Sequence, residues 1–212
     1  MKSIQLAFVA GLLLIASCKK EDKGSASDTI GGDGNLATNA VGYKYSCYTN
    51  APGVTASQVV VTNSDNSGLV TLNITGAIPT VGTTLTNLIP ASYKDAAGNL
   101  NVTGKFKNTS EGILDYTNSD SKPFVLVNYS SNVGDKYVLH KSNGQTITRT
   151  VTAKSTTDDY PYGMLMIKTM TVEQDSRISG ISKIRYYANH KFGLVGIEFV
   201  MEDGTVTKLS IM

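Results

Sequence analysis

The sequence predicts an all-β chain, an antiparallel meander that forms a sandwich or a partly open barrel with at most one or two short helices. Three observations carry that prediction. The 212 residues are rich in Thr, Ser, Asn and Gly, and only 17% are Asp, Glu, Lys or Arg. β-Branched and small polar residues in this mixture suit short strands and turns rather than long helices. Short runs of alternating apolar and polar residues recur, roughly ten to twelve of them, and clusters of Asn, Asp, Ser and Gly punctuate them.

In the N-terminal half, residues 43–48, 58–62, 69–75, 100–107, 112–116 and 124–129 are candidate strands. Asn66-Ser67-Gly68, Gly98-Asn99 and Asn118-Ser119-Asp120 supply turns between them. A short helix is expected over 90–97, with Pro90 early and Gly98 just past its end. In the C-terminal half, residues 134–140 and 146–152 flank Asn143-Gly144, both tolerant of positive φ. A two-residue turn there would set His140 opposite Ile147. Residues 163–172 read as one buried strand. In 181–188, Ile184, Tyr186 and Ala188 face one way, and Lys183, Arg185 and Tyr187 the other.

The last hairpin permits a register argument. Val195, Ile197, Phe199 and Met201 form one face, and Leu209 and Ile211 share a face on the next strand. A two-residue Asp203-Gly204 turn would mix apolar with polar faces. A three-residue loop, Glu202-Asp203-Gly204 with Gly204 left-handed, pairs Ile197 with Leu209 and Val195 with Ile211. Burial selects the second, because a slip by one residue turns every side chain over.

Ahead of this body, Lys2 and the apolar run 4–16 have the form of a secretory signal, the run being too short for a comfortable membrane span. It ends in Ile15-Ala16-Ser17-Cys18, which resembles the lipobox of bacterial lipoproteins. The resemblance implies cleavage between Ser17 and Cys18, a diacylglyceryl group on the Cys18 sulfur and an acylated new amine. At about 0.8 kcal/mol per buried CH₂, two or three acyl chains make membrane attachment effectively permanent. The expected organisation is a signal over 1–17, a lipid-anchored flexible tether over 18–38, and a single β-rich domain over 39–212 with a weak subdivision near 130. The Gly/Ser-rich stretch 24–38 is the basis for the tether.

Lys19-Lys20-Glu21-Asp22-Lys23 reads as a solvated charge run, and it also resembles the export tag of Bacteroidota lipoproteins. That resemblance implies the outer face of the outer membrane; periplasmic display stays open beside it. Lys19 stands where an Asp would imply inner-membrane retention. Asp28-Thr29-Ile30 resembles a Bacteroidota O-glycosylation motif, with Thr29 as acceptor. Near the C-terminus, Tyr186-Tyr187 followed by a basic turn and Gly193-Leu194-Val195 resembles a segment of small Bacteroidota outer-membrane lipoproteins of unknown function. With the Asn143-Gly144 hairpin this covers about residues 133–212, and it departs from the pattern at His190 and Phe192. It implies a curled antiparallel sheet, sometimes around an apolar groove.

Little in the sequence points to catalysis. Without Lys2 the chain carries 18 basic and 17 acidic residues, scattered singly, which offers no nucleic-acid surface. Cys47, flanked by Tyr45-Ser46 and Tyr48, reads as a small buried hydrophobe. His140 and His190 are the only histidines and neither has a nucleophile or acid at a motif spacing. No metal spacing is present and no cofactor is expected. Residues 63–68 resemble part of a calcium loop without its distal acid, so a plain turn is expected. Asp158-Asp159-Tyr160-Pro161-Tyr162 forms an acidic-aromatic loop that could stack on a sugar or peptide, or bind Ca²⁺ weakly; a Pro-punctuated turn is the plainer reading. The functional expectation is a lipid-anchored envelope protein that binds or scaffolds, its protein, glycan or hydrophobic partner unnamed. The alternative is a carrier whose open barrel holds a lipid or other hydrophobic ligand, lined by the inward faces of 164–172 and 195–201. A hydrolase would need His140 or His190 beside a Ser, Asp or Glu in a cleft.

Overall fold

The computed structural model describes residues 29–51, 54–78, 89–176 and 178–212. Fourteen strands lie among them: β1 (Lys44–Thr49), β2 (Thr55–Ser64), β3 (Leu69–Ala77), β4 (Leu100–Thr109), β5 (Gly112–Asp115), β6 (Phe124–Asn128), β7 (Lys136–His140), β8 (Thr146–Lys154), β9 (Tyr160–Tyr162), β10 (Leu165–Ile167), β11 (Met170–Asp175), β12 (Ile181–Asn189), β13 (Gly193–Met201) and β14 (Val206–Ile211). Twelve form one antiparallel sheet in the order β6-β5-β4-β3-β2-β1-β14-β13-β12-β11-β8-β7, and β9 and β10 form a separate hairpin. β1 pairs with β14, Cys47 opposite Ile211, so the first and last strands among the described residues are neighbours in the sheet. The row ends at β6 and β7, consecutive in sequence, which makes the sheet a nearly closed barrel rather than a sandwich. Near-closure leaves only the β6 and β7 edges of the main sheet, and these face each other.

One turn design recurs. Asp65, Asp95, Lys141 and Met201 each accept the N–H of a glycine three residues on, and each donates its own N–H to the carbonyl four residues on. The glycines, Gly68, Gly98, Gly144 and Gly204, have φ between 78° and 84°, a region costly for other residues. The last hairpin accordingly has Ile197 opposite Leu209 across a three-residue loop, the register expected from burial. The Asn143-Gly144 hairpin uses the same loop, which corrects the two-residue reading: His140 lies opposite Thr146, and Leu139 opposite Ile147. Burial again decides, since Leu139 and Ile147 are both buried.

Three other expectations are corrected. The helix over 90–97 is a three-residue 3-10 turn at Ala91–Tyr93. Asp95 Oδ1 accepts the N–H of both Ala97 and Asn99 and diverts the chain into a turn. The single strand over 163–172 is a turn and two pieces: Gly163, at φ 58°, turns β9 into β10, and Lys168-Thr169 separate β10 from β11. β10 pairs with β9 outside the main sheet, and the buried strand begins only at Met170. Finally, the tether expected to stay flexible through Thr38 is docked from Ile30 onward. Ile30 is buried, Asp33 exchanges hydrogen bonds with Ser110, and Gly34 lies so close to Gly68 that a Cβ would sit 2.2 Å from the Gly68 nitrogen. Residues 1–28, with Cys18 and the charge run 19–23, lie outside the described residues.

The strands give the barrel two ends. At one, where the chain enters from residue 29, stand the turns 65–68, 110–111, 129–135 and 190–192 and the C-terminal Met212. At the other stand 94–99, 116–123, 141–145 and 202–204. β12 shows the expected alternation, with Ile184, Tyr186 and Ala188 buried and Lys183, Arg185 and Tyr187 only half-buried.

Candidate functional site: an apolar cavity beside a packed seam

The gap between β6 and β7 is bridged by side chains. At the far end Ser142 donates through its N–H and hydroxyl to Asp120, at 2.6 and 2.9 Å. At the entry end Lys154 Nζ donates to the carbonyls of Tyr129 and Ser131, both at 3.0 Å. In the middle Arg149, on the face of β8 shared with Ile147 and Val151, reaches across the interior. Its Nη2 donates to Asp115 Oδ2 at 2.7 Å, its Nη1 to the Val125 carbonyl at 3.2 Å, and its Nε to Gln174 Oε1 at 2.9 Å. The guanidinium also lies 4.0 Å from the Phe124 ring centroid and 5.2 Å from that of Tyr186. Asp115 accepts the Thr117 N–H at 2.7 Å and the Thr117 hydroxyl as well. Arg149 and Asp115 are both 1% exposed or less, and such a pair survives only because the remaining donors and lone pairs are met.

The other half of the interior is hollow. A cavity of about 90 Å³, partly open to solvent, is lined by inward side chains of β1 to β6, β13 and β14. It runs along β3 past Val70, Leu72 and Ile74, about 13 Å at the strand rise. Val59, Leu126 and Ile197 complete the wall, and Asn39, Asn108, Tyr45 and Ser57 are its polar contributors besides Cys47. Leu194 and Ile197 are an odd number of residues apart and share this face because a bulge puts Ala188 opposite Leu194 and Tyr187 opposite Gly196.

The polar end of the cavity has one unmet acceptor. Asn39 uses both amide hydrogens, on the carbonyls of Gly34 and Asn108 at 2.8 Å, so its Oδ1 is left to accept Asn108 Nδ2 at 3.0 Å. That network fixes the orientation of the Asn108 amide. Asn108 Oδ1 then has no donor although the residue is 8% exposed, an arrangement that asks for a partner. Two further buried polar atoms lack a partner among the described residues: the Tyr129 hydroxyl, close to Tyr45, and the amide oxygen of Asn73, on the opposite face of β3 from Leu72 and Ile74. The Tyr45 hydroxyl donates to the Thr38 carbonyl at 3.1 Å, and burial pushes the phenol up to about 12 against the opposing pull of the Thr38 side chain.

The outer face is charged. Glu173, Arg185, Glu198 and Lys208 lie directly opposite one another across β11, β12, β13 and β14. Arg185 bonds Glu173 at 2.6 Å and Glu198 at 3.4 Å, and Lys208 bonds Glu198 at 2.8 Å. Partial burial opposes ionisation of both glutamates, yet bonds from Lys183 and Arg185, and from Lys208 and Tyr187, hold their carboxyls below the usual range. Charges outward and aliphatics inward reverse the pattern of a membrane-spanning barrel.

The acidic-aromatic loop is divided by the fold. Asp158 and Asp159 are exposed, and Asp159 Oδ1 accepts the Ser155 hydroxyl at 2.7 Å. Tyr160 lies 5.0 Å from the Tyr187 ring and over Gly196, where a Cβ would meet its hydroxyl at 2.1 Å. Tyr162 stacks on Phe192 at 4.6 Å. These rings fasten the β9–β10 hairpin to the barrel wall, and Tyr160-Pro161-Tyr162 is the strand β9 rather than the Pro-punctuated turn expected there. His140 Nδ1 lies 3.2 Å from Thr146 Oγ1, and His190 packs edge-on to Tyr129 with centroids 6.5 Å apart. Neither is hydrogen-bonded to a Ser, Asp or Glu among the described residues. Asp65 closes the 63–68 run as a turn, accepting from Ser67 and Leu69. Cys47 is a buried free thiol on the cavity wall, pushed up to about 12 by burial. Thr29 is exposed, next to buried Ile30.

The expected carrier lining is corrected. Met164, Leu165 and Met166 are exposed, and from 164–172 and 195–201 only Ile197 reaches the cavity. Sequence reasoning passed over Asn39, Asn108, Arg149 and Asp115. A signal existed for Arg149, a charge at an inward position between Ile147 and Val151; none existed for Asn108, whose pairing depends on a segment 69 residues away.

No family model matches this chain, and no curated protein matches it. Among solved structures, a candidate exported protein with a YmcC-like fold from Bacteroides fragilis is similar, with a TM-score of 0.42 and 12% identity over 79% of this chain and 92% of that one. A likeness at that level carries no inference about activity.

Proposed function

We propose that this chain is a non-enzymatic lipoprotein of the bacterial cell envelope, held to the outer membrane through Cys18, whose barrel binds a small hydrophobic ligand. The anchor is supported by Ile15-Ala16-Ser17-Cys18 behind a short apolar run. The binding role is carried by one observation: an apolar cavity whose buried polar end presents an acceptor, Asn108 Oδ1, with no donor. Few, well-placed polar groups in an apolar pocket are the usual form of a ligand site. The ligand is correspondingly an aliphatic group with one hydrogen-bond donor. At about 90 Å³ the cavity is smaller than the ~150 Å³ that admits benzene, and holds about three or four carbons if a methylene is taken as the size of a water. A longer ligand would leave its remainder outside. The filled seam half of the interior is what a scaffold would show, but filling stops short of this cavity.

Butan-1-ol and its isomer methyl propyl ether separate the parts of this reading. Saturable methyl NMR shifts at Val70, Leu72 and Leu126, stronger for the alcohol, are expected. No saturable shift with either removes the binding function, and equal shifts remove Asn108 from it. Mass spectrometry of the native N-terminal peptide tests the anchor, and an unacylated Cys18 would overturn it.

A further inference from the structure

We infer that the end of the barrel at which residue 29 enters lies against a lipid bilayer, with the tip of the β9–β10 hairpin inserted at the headgroup level. The inference rests on the anchoring read at Cys18 and adds an orientation to it. Six large hydrophobic residues are exposed among those described: Val41, Tyr48, Val133, Met164, Leu165 and Met166. All except Tyr48 belong to the entry end. Val41 precedes β1, where Gly42 bonds Val61. Val133 sits in the β6–β7 connection. The hairpin reaches the same end, because Tyr162 stacks on Phe192 in the β12–β13 turn and Gly163 approaches Met212.

The apolar side chains are therefore spread around one rim, at the β1, β6–β7 and β13–β14 positions, rather than gathered into a groove. A groove fits a peptide or a helix; points spread around a rim fit a plane. Met164 is fully exposed at the hairpin turn, with Leu165 and Met166 more than half exposed beside it. Three consecutive exposed apolar residues on a hairpin otherwise well packed by its tyrosines are costly in water and suited to the acyl boundary. Chain length agrees. Cys18 and Thr29 are eleven residues apart, at most about 40 Å of extended backbone, which makes this the end nearer the acyl chains along the chain, and Lys19, Lys20 and Lys23 in that stretch favour an anionic surface.

The chain contains no tryptophan, so one introduced indole reports alone. Leu165→Trp, and Glu202→Trp in the exposed β13–β14 turn at the opposite end, are each made in the full lipidated chain. Each is reconstituted into phosphatidylethanolamine–phosphatidylglycerol vesicles with and without lipids brominated in the acyl chains. The expected result is about twofold or greater quenching of Leu165→Trp with none for Glu202→Trp, as shallow insertion of one end requires. If the chain floats with the vesicles and Leu165→Trp is unquenched, the orientation is wrong and the anchor stands. Equal quenching of both positions also overturns the orientation. A chain that does not float overturns the anchor, and this inference with it.

Discussion

The seam side of the barrel, built on β5 to β8, β11 and β12, and the opposite side, built on β1 to β4, β13 and β14, share one strand pattern and differ in how far their inward side chains reach. On the seam side the inward residues include Arg149, Tyr137, Tyr186, Phe124 and Gln174, all 2% exposed or less. On the other they include Val59, Val70, Leu72, Cys47 and Ser57, which leave the cavity. Eight strands make an interior that ordinary side chains just fill, and diameter grows with strand number. Twelve strands are too many for Val and Leu alone. Long side chains fill the seam side, and because the longest is charged, its polar groups had to be met within the core.

The contrast can be broken most forcefully at the seam. Asp115→Ala is expected to cost about 3–5 kcal/mol, because it leaves the Arg149 guanidinium buried without its carboxylate. Urea denaturation would read the loss, and the double variant Arg149→Met, Asp115→Leu should recover most of it. A loss below about 1 kcal/mol would mean that water or another acceptor reaches Arg149. The next effect compares the two halves directly. Val151→Leu, in the filled half, should cost about 1–3 kcal/mol through overpacking. Val70→Leu, beside the cavity, should be neutral or stabilising by about 0.5 kcal/mol. Equal losses in thermal denaturation would show that the hollow half is as tightly packed as the seam.

The smallest effect lies on the outer wall, which carries neither the filling nor the void. Glu173 and Glu198 are held below the ordinary glutamate value of 4.5, so the unfolded chain binds more protons than the folded one as acid is added. Their stabilisation is present above that value and is lost as pH falls through the lower folded values. Glu198→Gln should flatten the acid limb of the stability curve between about pH 5 and pH 3, and change stability at neutral pH by less than about 1 kcal/mol. A slope unchanged from the parent chain would show that the cross-strand ladder is not coupled to folding.

Much of this architecture was legible locally. The strands of the main sheet and the last hairpin's register followed from alternation and from the position of a glycine, both set within a few residues. Where the reading failed locally, short-range geometry had decided: Asp95 ended a helix before it began, and Gly163 turned the chain just ahead of a run of methionines that periodicity alone could not place. The candidate site was far less legible. Tyr160 and Tyr162 looked free as a loop sequence, but their partners, Tyr187, Gly196 and Phe192, come from two later strands and their turn. Ile30 to Thr38 looked like linker by composition; its docking depends on Gly68 and Ser110 presenting backbone and hydroxyl groups at the right place.

The sequence alone determined the strand class, most of the turns, which face turns inward in β12, β13 and β14, and the Ile15-Ala16-Ser17-Cys18 signature ahead of them. These depend on backbone sterics and on side-chain alternation within a few residues. Tertiary structure alone decided that β1 would meet β14, that β6 and β7 would face each other without pairing, and that Arg149 would be buried while a cavity stayed open beside it. Those outcomes depend on curvature and on contacts between distant segments, and a period of two along one strand carries no information about which strand lies across the interior from it.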